Sequence, residues 1–476
     1  MVRTESSGPR TPPVEVAAVF REVLAEDQVR TADEIGEAYG HDETLSAQPC
    51  LPAAVLLPGS THDVAAILEV ADRWSIPVTA RGAGTGLSGA AIADHDGIVV
   101  SFERMDRISE IDLDNGVAVV EPGVRLADLD AALAPLGLVY PVRPGEDSAT
   151  IGGTVNTNAA GMRAVRYGAT RNHVLGLEFV LAGGQVIRSG GKVVKRSSGY
   201  DLAQLVIGSE GTLALVTRVW LKLAPRPRNV TTLLAPFTDL EQITGAVPRI
   251  LASGLAPLVL EYLDALTMAA IVHRSGLELG VTDATREAAT AYLVVQLADD
   301  HADRVEQDML ALGELLVDEL GAMDALVLPG QAATDLITAR EQAFYAAREV
   351  GFHDIIDVVV PRAALPAYAR RVGRIAEEFS AGIVGCGHAG DGNVHMSVFE
   401  PDEQRRAQVM AALLEAGVEL GGEISGEHGI GRHKKPWFEA LTDPAALQLM
   451  RGMKAAFDPR GILNPGAIFD LPRSST

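Results

Sequence analysis

Two cysteines, Cys50 and Cys386, are all that 476 residues contain. No disulfide framework or CxxC cluster can be built from them, so the chain brings no Cys-ligated iron–sulfur centre of its own. Basic side chains are also scarce: 40 stand against 63 acidic ones, for a net charge of −23. No broad basic face for nucleic acid can come from that balance. A local basic pocket for a small anion still can. No run of 18 apolar residues is present to span a membrane. The N-terminus, MVRTESSGPRTPPVEV, lacks the apolar core of a secretory signal. These absences predict a cytoplasmic protein, peripheral to a membrane only through a partner. Beyond the first dozen residues there is no low-complexity segment, and there is no internal repeat.

What is present suits a protein that handles a small molecule. The length implies two or three domains with real cores, and an apolar content of 47% excludes disorder. A helical segment is expected over 1–49, with helical spacing over 13–35. Residues 50–225 read as one α+β domain. Within it, STHDVAAILEVADRW is a helix capped by Ser60 or Thr61, and RLADLDAALAPLG is a helix ended by Gly137. GLEFVLAGGQVIRSG is a hairpin about Gly183–Gly184, and TLALVTRVWLKLAP is a strand pair. The stretch APRPRN (224–229) marks a boundary. From 226 to 425, helices alternate with the strands PLVLEYLD, AYLVVQLA and DIIDVVVP, which predicts a second α+β domain. The segment 426–476 ends in the turn-rich FDPRGILNPGAIF, expected to dock back on the first domain.

RGAGTGLSGA (81–90) contains Gly84-x-Gly86-x-x-Gly89, formally a dinucleotide fingerprint, with Glu103 at a suitable distance for a ribose acid. Its context is wrong for that fold. The helix precedes the strand, and only AAIADHD separates Gly89 from the next strand, too little for a crossover helix. The loop therefore joins two strands directly. Its glycines, with Thr85 and Ser88, can still turn amide and hydroxyl donors toward a pyrophosphate; the alternative is a tight structural turn. SATIGGTVNTNAAG (148–161) and GSEGTLALVT (208–217) read as loops of the same texture. Three such segments in one domain point to a large bound nucleotide.

CGHAGDGNVH (386–395) and EISGEHGIGRHK (423–434) hold four of the chain's 11 histidines. AGIVGC and VHMSVFE read as strands joined by GHAGDGN, a hairpin that folds His388 toward His395. Imidazoles are common ligands of borderline divalent metals, and Glu427 is the candidate third ligand. The alternative is a pair of core or turn histidines. The spacing is not the helical HExxH of zinc proteases.

Together, PAAVLLPGSTHDVAAIL, RGAGTGLSGA, TIGGTVNTNAAG, GSEGTLALVT and FDPRGILNPG resemble the FAD-binding domain of the vanillyl-alcohol-oxidase superfamily. GHAGDGNVH and ISGEHGIGRHK are similar to its D-2-hydroxyacid dehydrogenase branch: glycolate oxidase flavin subunits, D-lactate dehydrogenases and D-2-hydroxyglutarate dehydrogenases. The resemblance covers roughly 50–470. It implies a two-part FAD-binding domain, a substrate domain with an antiparallel sheet, and a C-terminal segment that completes the active site.

The same resemblance implies FAD contacts from Arg81, Gly82, Ala83, Gly84, Thr85, Gly86, Leu87, Ser88 and Gly89 in the first loop. Further contacts come from Pro144, Gly145, Ile151, Gly152, Gly153, Asn156, Asn158 and Gly161, then from Glu210, Gly211, Val216 and Asn464. No histidine lies between Arg81 and Ala90, which implies dissociable, non-covalent FAD. His388, His395 and Glu427 match the family's metal ligands, the set suiting zinc or manganese. His428 matches its general base and Arg340 its carboxylate-binding arginine. Arg348 is a weaker rival, and Lys434 either adds positive potential or lies at the surface.

The chemistry fits these residue types. A 2-hydroxy acid chelates a cation, which acidifies its hydroxyl; His428 takes the proton and hydride leaves C2 for the flavin. Hydroxyglutarate-specific members tend to carry threonine and lysine where this chain has Phe344 and Ile355. The expected substrate is therefore D-lactate or glycolate. Alternatives are D-2-hydroxyglutarate, a flavin subunit without turnover, and a relative of alkyl-glycerone-phosphate synthase. The sequence leaves open the electron acceptor (oxygen, quinone, cytochrome or an iron–sulfur subunit), and it allows a homodimer.

Overall fold

In helix Thr61–Trp74, Ser60 Oγ accepts from the Asp63 amide at 3.2 Å and caps the first turn. Val64, Ile67, Leu68 and Ala71 recur at three- and four-residue spacing and are fully buried. They cover a four-stranded sheet ordered Val29–Arg30, Ala54–Leu56, Ile98–Ser101, Val78–Arg81, whose last three strands run parallel. Residues 82–97 connect two of those parallel strands without a helix, so the glycine-rich loop emerges at a strand's C-terminal end. The computed structural model describes residues 16–471.

A five-stranded antiparallel sheet follows, ordered Ile108–Asp112, Val117–Val120, Leu215–Lys222, Val174–Val180, Val186–Gly190. The third layer is a seven-stranded antiparallel sheet. Its order is Leu326–Val327, Asn229–Phe237, Ala291–Asp299, Val259–Asp264, Gly382–His388, Asn393–Phe399, Asp354–Val359. Helices Leu240–Ala252, Ala302–Glu314, Leu365–Phe379 and Glu403–Glu419 pack on it around one large apolar cluster. This is the expected α+β class.

Three local expectations need correction. The helix over 13–35 is instead a single short helix, Val16–Phe20, then 3-10 turns and the strand Val29–Arg30; residues 13–15 lie outside the described residues. Tertiary pairing overrides helical spacing here, because Val29 pairs with Leu56 and Gln28 Nε2 donates to Asp63 at 2.9 Å. The expected strand pair at 212–225 is mainly one strand, Leu215–Lys222, paired on both edges, with only Ala224–Pro225 beyond it. The expected loop at 148–161 contains a helix, Ile151–Thr157. Two glycines in its first turn hid it, each costing about 1 kcal/mol of helix propensity. Thr150 caps it, and a Cβ on Gly152 would meet Pro122 Cβ at 2.6 Å.

The C-terminal segment returns to the first sheet, as expected. Val78 donates to Ile462 O at 2.8 Å and Asn464 donates to Val78 O at 2.7 Å. Buried Lys454 donates to Thr212 O and Leu463 O, both at 2.7 Å, fastening the tail behind the parallel strands.

Candidate active site

Gly84 and Gly89 adopt φ of +78° and +77°, the left-handed region that favours glycine. A Cβ on Gly84 would fall 1.9 Å from Arg81 Nη2, and one on Gly82 would fall 2.1 Å from Thr150 Oγ1. The loop is thus pressed onto its own arginine and onto the N-terminus of helix Ile151–Thr157. Together with Glu210, Gly211 and Val216, these surfaces line a cleft of about 1230 Å³. That figure includes the open mouth of the cleft.

The residues expected to contact the cofactor divide. Arg81 through Ser88, Pro144, Gly152, Gly153, Asn156, Glu210, Gly211 and Val216 line the cleft. Gly145 lines the neighbouring pocket, and Ile151 is buried in apolar core. Gly89 lies against Arg432, and Asn158 ends its helix at φ +53°. Gly161, at φ +99°, passes the Arg143 carbonyl. Asn464 stands behind the cleft and donates to Ala90 O at 2.9 Å and Glu210 O at 2.7 Å. The Glu210 carboxylate accepts from the Ile430 and Gly431 amides, both at 2.8 Å. Burial pushes its pKa up to about 7 against the pull of those donors.

The hairpin Gly382–His388/Asn393–Phe399 brings His388 and His395 together, their ring centroids 4.9 Å apart. His388 Nε2 lies 3.3 Å and His395 Nε2 3.2 Å from Glu427 Oε1. Glu427 Oε2 is buried with no hydrogen-bond partner among the described residues. Two imidazole nitrogens and a carboxylate with a spare buried oxygen fit a divalent cation. Burial disfavours the Glu427 anion, but His388 and His395 hold its pKa well below the usual carboxylate range. His428 stacks on His395 at 4.9 Å, with Nε2 3.9 Å from Glu427 Oε1. Burial depresses its pKa to about 4, so the ring is neutral near pH 7 and has a lone pair to accept a proton.

Two acids absent from the sequence reading organise this cluster. Asp357 Oδ2 accepts from the backbone amides of Glu427 at 3.1 Å and His428 at 2.8 Å, and from Ser425 Oγ at 2.6 Å. Burial opposes its charge, yet His428 once protonated, Lys434 and His395 hold its pKa below the usual carboxylate range. Glu261 accepts from His388 Nδ1 at 2.7 Å and sits 2.7 Å from Arg340 Nη2. A carboxylate on the far nitrogen of a ligating histidine fixes its tautomer and orientation. The available signal was an acid inside an apolar strand: Glu261 in VLEYLD and Asp357 in DIIDVV.

A second pocket of about 900 Å³ adjoins the first, and Thr85, Leu87, Pro144, Glu146, Glu427 and His428 line both. Arg340, Phe344, Ile355, Cys386, His388 and His395 line it as well. Arg340 is buried; its Nη2 is taken up by the Glu261 ion pair, while its Nε makes no hydrogen bond among the described residues. Arg348 lies outside the pocket and pairs with Glu43 at 2.8 Å. Lys434 is not a surface group: it is 1% exposed and lies 3.5 Å from Asp357 Oδ2.

Residues 226–468 match the family described as FAD linked oxidases, C-terminal domain, and residues 52–190 match an FAD binding domain. The chain belongs to the FAD-linked oxidase family. An uncharacterized FAD-linked oxidoreductase of Mycobacterium tuberculosis is 51% identical over 96% of this chain and 99% of the relative. A D-lactate dehydrogenase of Archaeoglobus fulgidus is 39% identical over 91% and 95%. A glycolate oxidase subunit of Bacillus subtilis is 36% identical over 90% and 92%. Among solved structures, p-cresol methylhydroxylase with substrate bound aligns at a TM-score of 0.78 over 96% of each chain, with 17% identity, a likeness of fold. This FAD-linked oxidase is therefore an FAD-dependent oxidoreductase of the D-lactate dehydrogenase and glycolate oxidase branch, with the vanillyl-alcohol-oxidase fold. Among the described residues, none of its helices is long and apolar enough to cross a membrane.

Proposed function

We propose that this FAD-linked oxidase converts a D-2-hydroxy acid, D-lactate or glycolate, to the 2-oxo acid. FAD would lie non-covalently in the cleft lined by Arg81–Ser88, and a divalent cation, zinc or manganese, on His388, His395 and Glu427. The observation that carries this reading is the convergence of both Nε2 atoms on Glu427 Oε1 where the two pockets meet.

When bound, FAD supplies the hydride acceptor and the cation acidifies the substrate hydroxyl. The chain's own residues do the rest. Arg340, held by Glu261 through Nη2, turns its remaining donors, the unpaired Nε among them, to the substrate carboxylate. Neutral His428 takes the hydroxyl proton at Nε2. Asp357 holds the His428 backbone, and Glu261 orients both His388 and Arg340. Phe344 and Ile355 present no donor to a second carboxylate, which favours a short monocarboxylic substrate. The buried histidine cluster speaks against a flavin subunit without turnover.

The test is a panel of D-lactate, L-lactate, glycolate and D-2-hydroxyglutarate under anaerobic conditions, scored by bleaching of the flavin absorbance. D-lactate or glycolate should bleach the flavin at the lowest concentration. No bleaching by any of the four would overturn the reading.

A further inference from the structure

On the far side of the Arg143–Glu341 ion pair from the substrate pocket lies another cavity, of about 990 Å³ including its mouth. Met162 and Glu341 line both, so they form part of the wall between them. Its other polar walls include Arg143, Arg163, Thr232, Gln296 and Thr338, set among apolar side chains of the seven-stranded sheet and of helix Gly330–Glu341. Nothing in the reaction proposed above uses this space.

The guanidinium groups here are unequally satisfied. Arg143 Nε lies 2.7 Å from Glu341 Oε1, and its Nη2 donates to Glu341 Oε2 at 3.2 Å. Arg166, close by in the chain, spends two donors on Ala298 O. Arg163 is half-buried, and its side chain has no hydrogen-bond or ion-pair partner among the described residues. The charge that bears on it most is a like one, Arg143; together with the larger effect of burial, it pushes the Arg163 pKa down. The backbone holds the two arginines together, because Arg143 bridges to Gly161 and a Cβ on Gly161 would meet Arg143 O at 1.9 Å. Arg143 already has its counter-charge in Glu341, with Asp147 at 3.4 Å, whereas the Arg163 guanidinium, withdrawn from water, has no partner of its own among the described residues, and an anion would supply one. Gln296 Nε2 is already committed to Thr232 Oγ1 at 3.0 Å, which leaves Arg163 as the unpaired recognition group.

We propose that Arg163, set beside the Arg143–Glu341 pair, forms a second anion site, separate from the substrate pocket, for a small carboxylate or phosphate carried on an apolar body. The planar fork of Arg163 offers paired donors to either oxyanion. Because Glu341 shares Arg143 with this cavity and directly follows Arg340, occupancy would bear on the helix Gly330–Glu341 that carries Arg340.

Equilibrium titration of the flavin-loaded protein with inorganic phosphate, phenyl phosphate and butanoate, in separate arms, tests the site and distinguishes the two anion sources. At least one probe should bind saturably at millimolar concentration or below. Arg163→Gln should weaken that binding at least tenfold, and Arg340→Gln should leave it within twofold. Arg163→Lys keeps the charge without the fork and should weaken it several-fold, which keeps the test open if the glutamine variant folds poorly by its flavin content and Tm. Absence of saturable binding by all three probes would overturn the proposal. So would binding lost in Arg340→Gln and kept in Arg163→Gln, because the anion would then occupy the substrate pocket.

Discussion

His428 combines burial, a neutral ring and a position 3.9 Å from Glu427 Oε1. Its replacement by alanine should keep FAD and lose about 10²–10⁴-fold in kcat, the usual effect of removing a general base. Near wild-type kcat at normal flavin content would remove His428 from the chemistry. Glu210 makes a separate prediction about stability. Its carboxyl titrates at about 7 in the folded chain, against a reference of 4.5. The folded state thus keeps a proton that the unfolded chain has released, so this contribution is complete below pH 4.5 and is lost as pH rises through 7. The full span is on the order of 3 kcal/mol. Glu210→Gln should therefore lose less stability than wild type between pH 5 and pH 8 in urea unfolding; equal losses would contradict the assignment. His388, His395, Glu427, His428 and Arg340, expected from motif and chemistry to lie together, do line one pocket. Glu261 and Asp357 were not legible, since one acid within an apolar strand has no spacing to announce it.

At the scale of elements, periodicity was legible where burial alone decides the structure. Helix Thr61–Trp74 and the hairpin Gly382–His388/Asn393–Phe399 follow from apolar spacing and a turn-rich joint. Helix Ile151–Thr157 was hidden because its glycines serve close packing against Pro122 and the glycine-rich loop rather than helix propensity. The N-terminal strand Val29–Arg30 was hidden because its pairing partners, Leu56 and Val55, lie 27 and 25 residues away in Ala54–Leu56. The hairpin itself is testable through Gly385. A Cβ there would stand 2.2 Å from His395 O and 2.7 Å from Met396 Sδ. Gly385→Ala should push the strands apart and lower metal content and flavin reduction together, although no ligand is changed. Full metal stoichiometry in a folded Gly385→Ala protein would show that the strand spacing is not what sets the site.

For the whole molecule, the α+β class and the docking of the C-terminal tail on the parallel sheet were legible, whereas the partition of space between the layers was not. The substrate pocket exists only where the glycine-rich loop, the helices carrying Arg340 and Phe344, and the histidine hairpin meet, at sequence separations no local pattern records. On the proposed function, its lining is predicted to limit substrate chain length. A distal carboxylate facing Phe344 and Ile355 would be desolvated without a partner, and a loss of about 3 kcal/mol already gives more than a hundredfold discrimination. D-lactate or glycolate should therefore exceed D-2-hydroxyglutarate in kcat/KM by that order, and Ile355→Lys should narrow the gap. A wild-type preference for hydroxyglutarate would place a second cation elsewhere in the pocket. The central claim is that His388, His395 and Glu427 hold a cation required for oxidation. It is tested most directly by titrating the flavin absorbance anaerobically with D-lactate or glycolate, whichever the panel selects, before chelation, after chelation and after adding back zinc or manganese. The account predicts that bleaching is lost on chelation and returns with metal; full bleaching by a preparation that elemental analysis shows to be metal-free would contradict it.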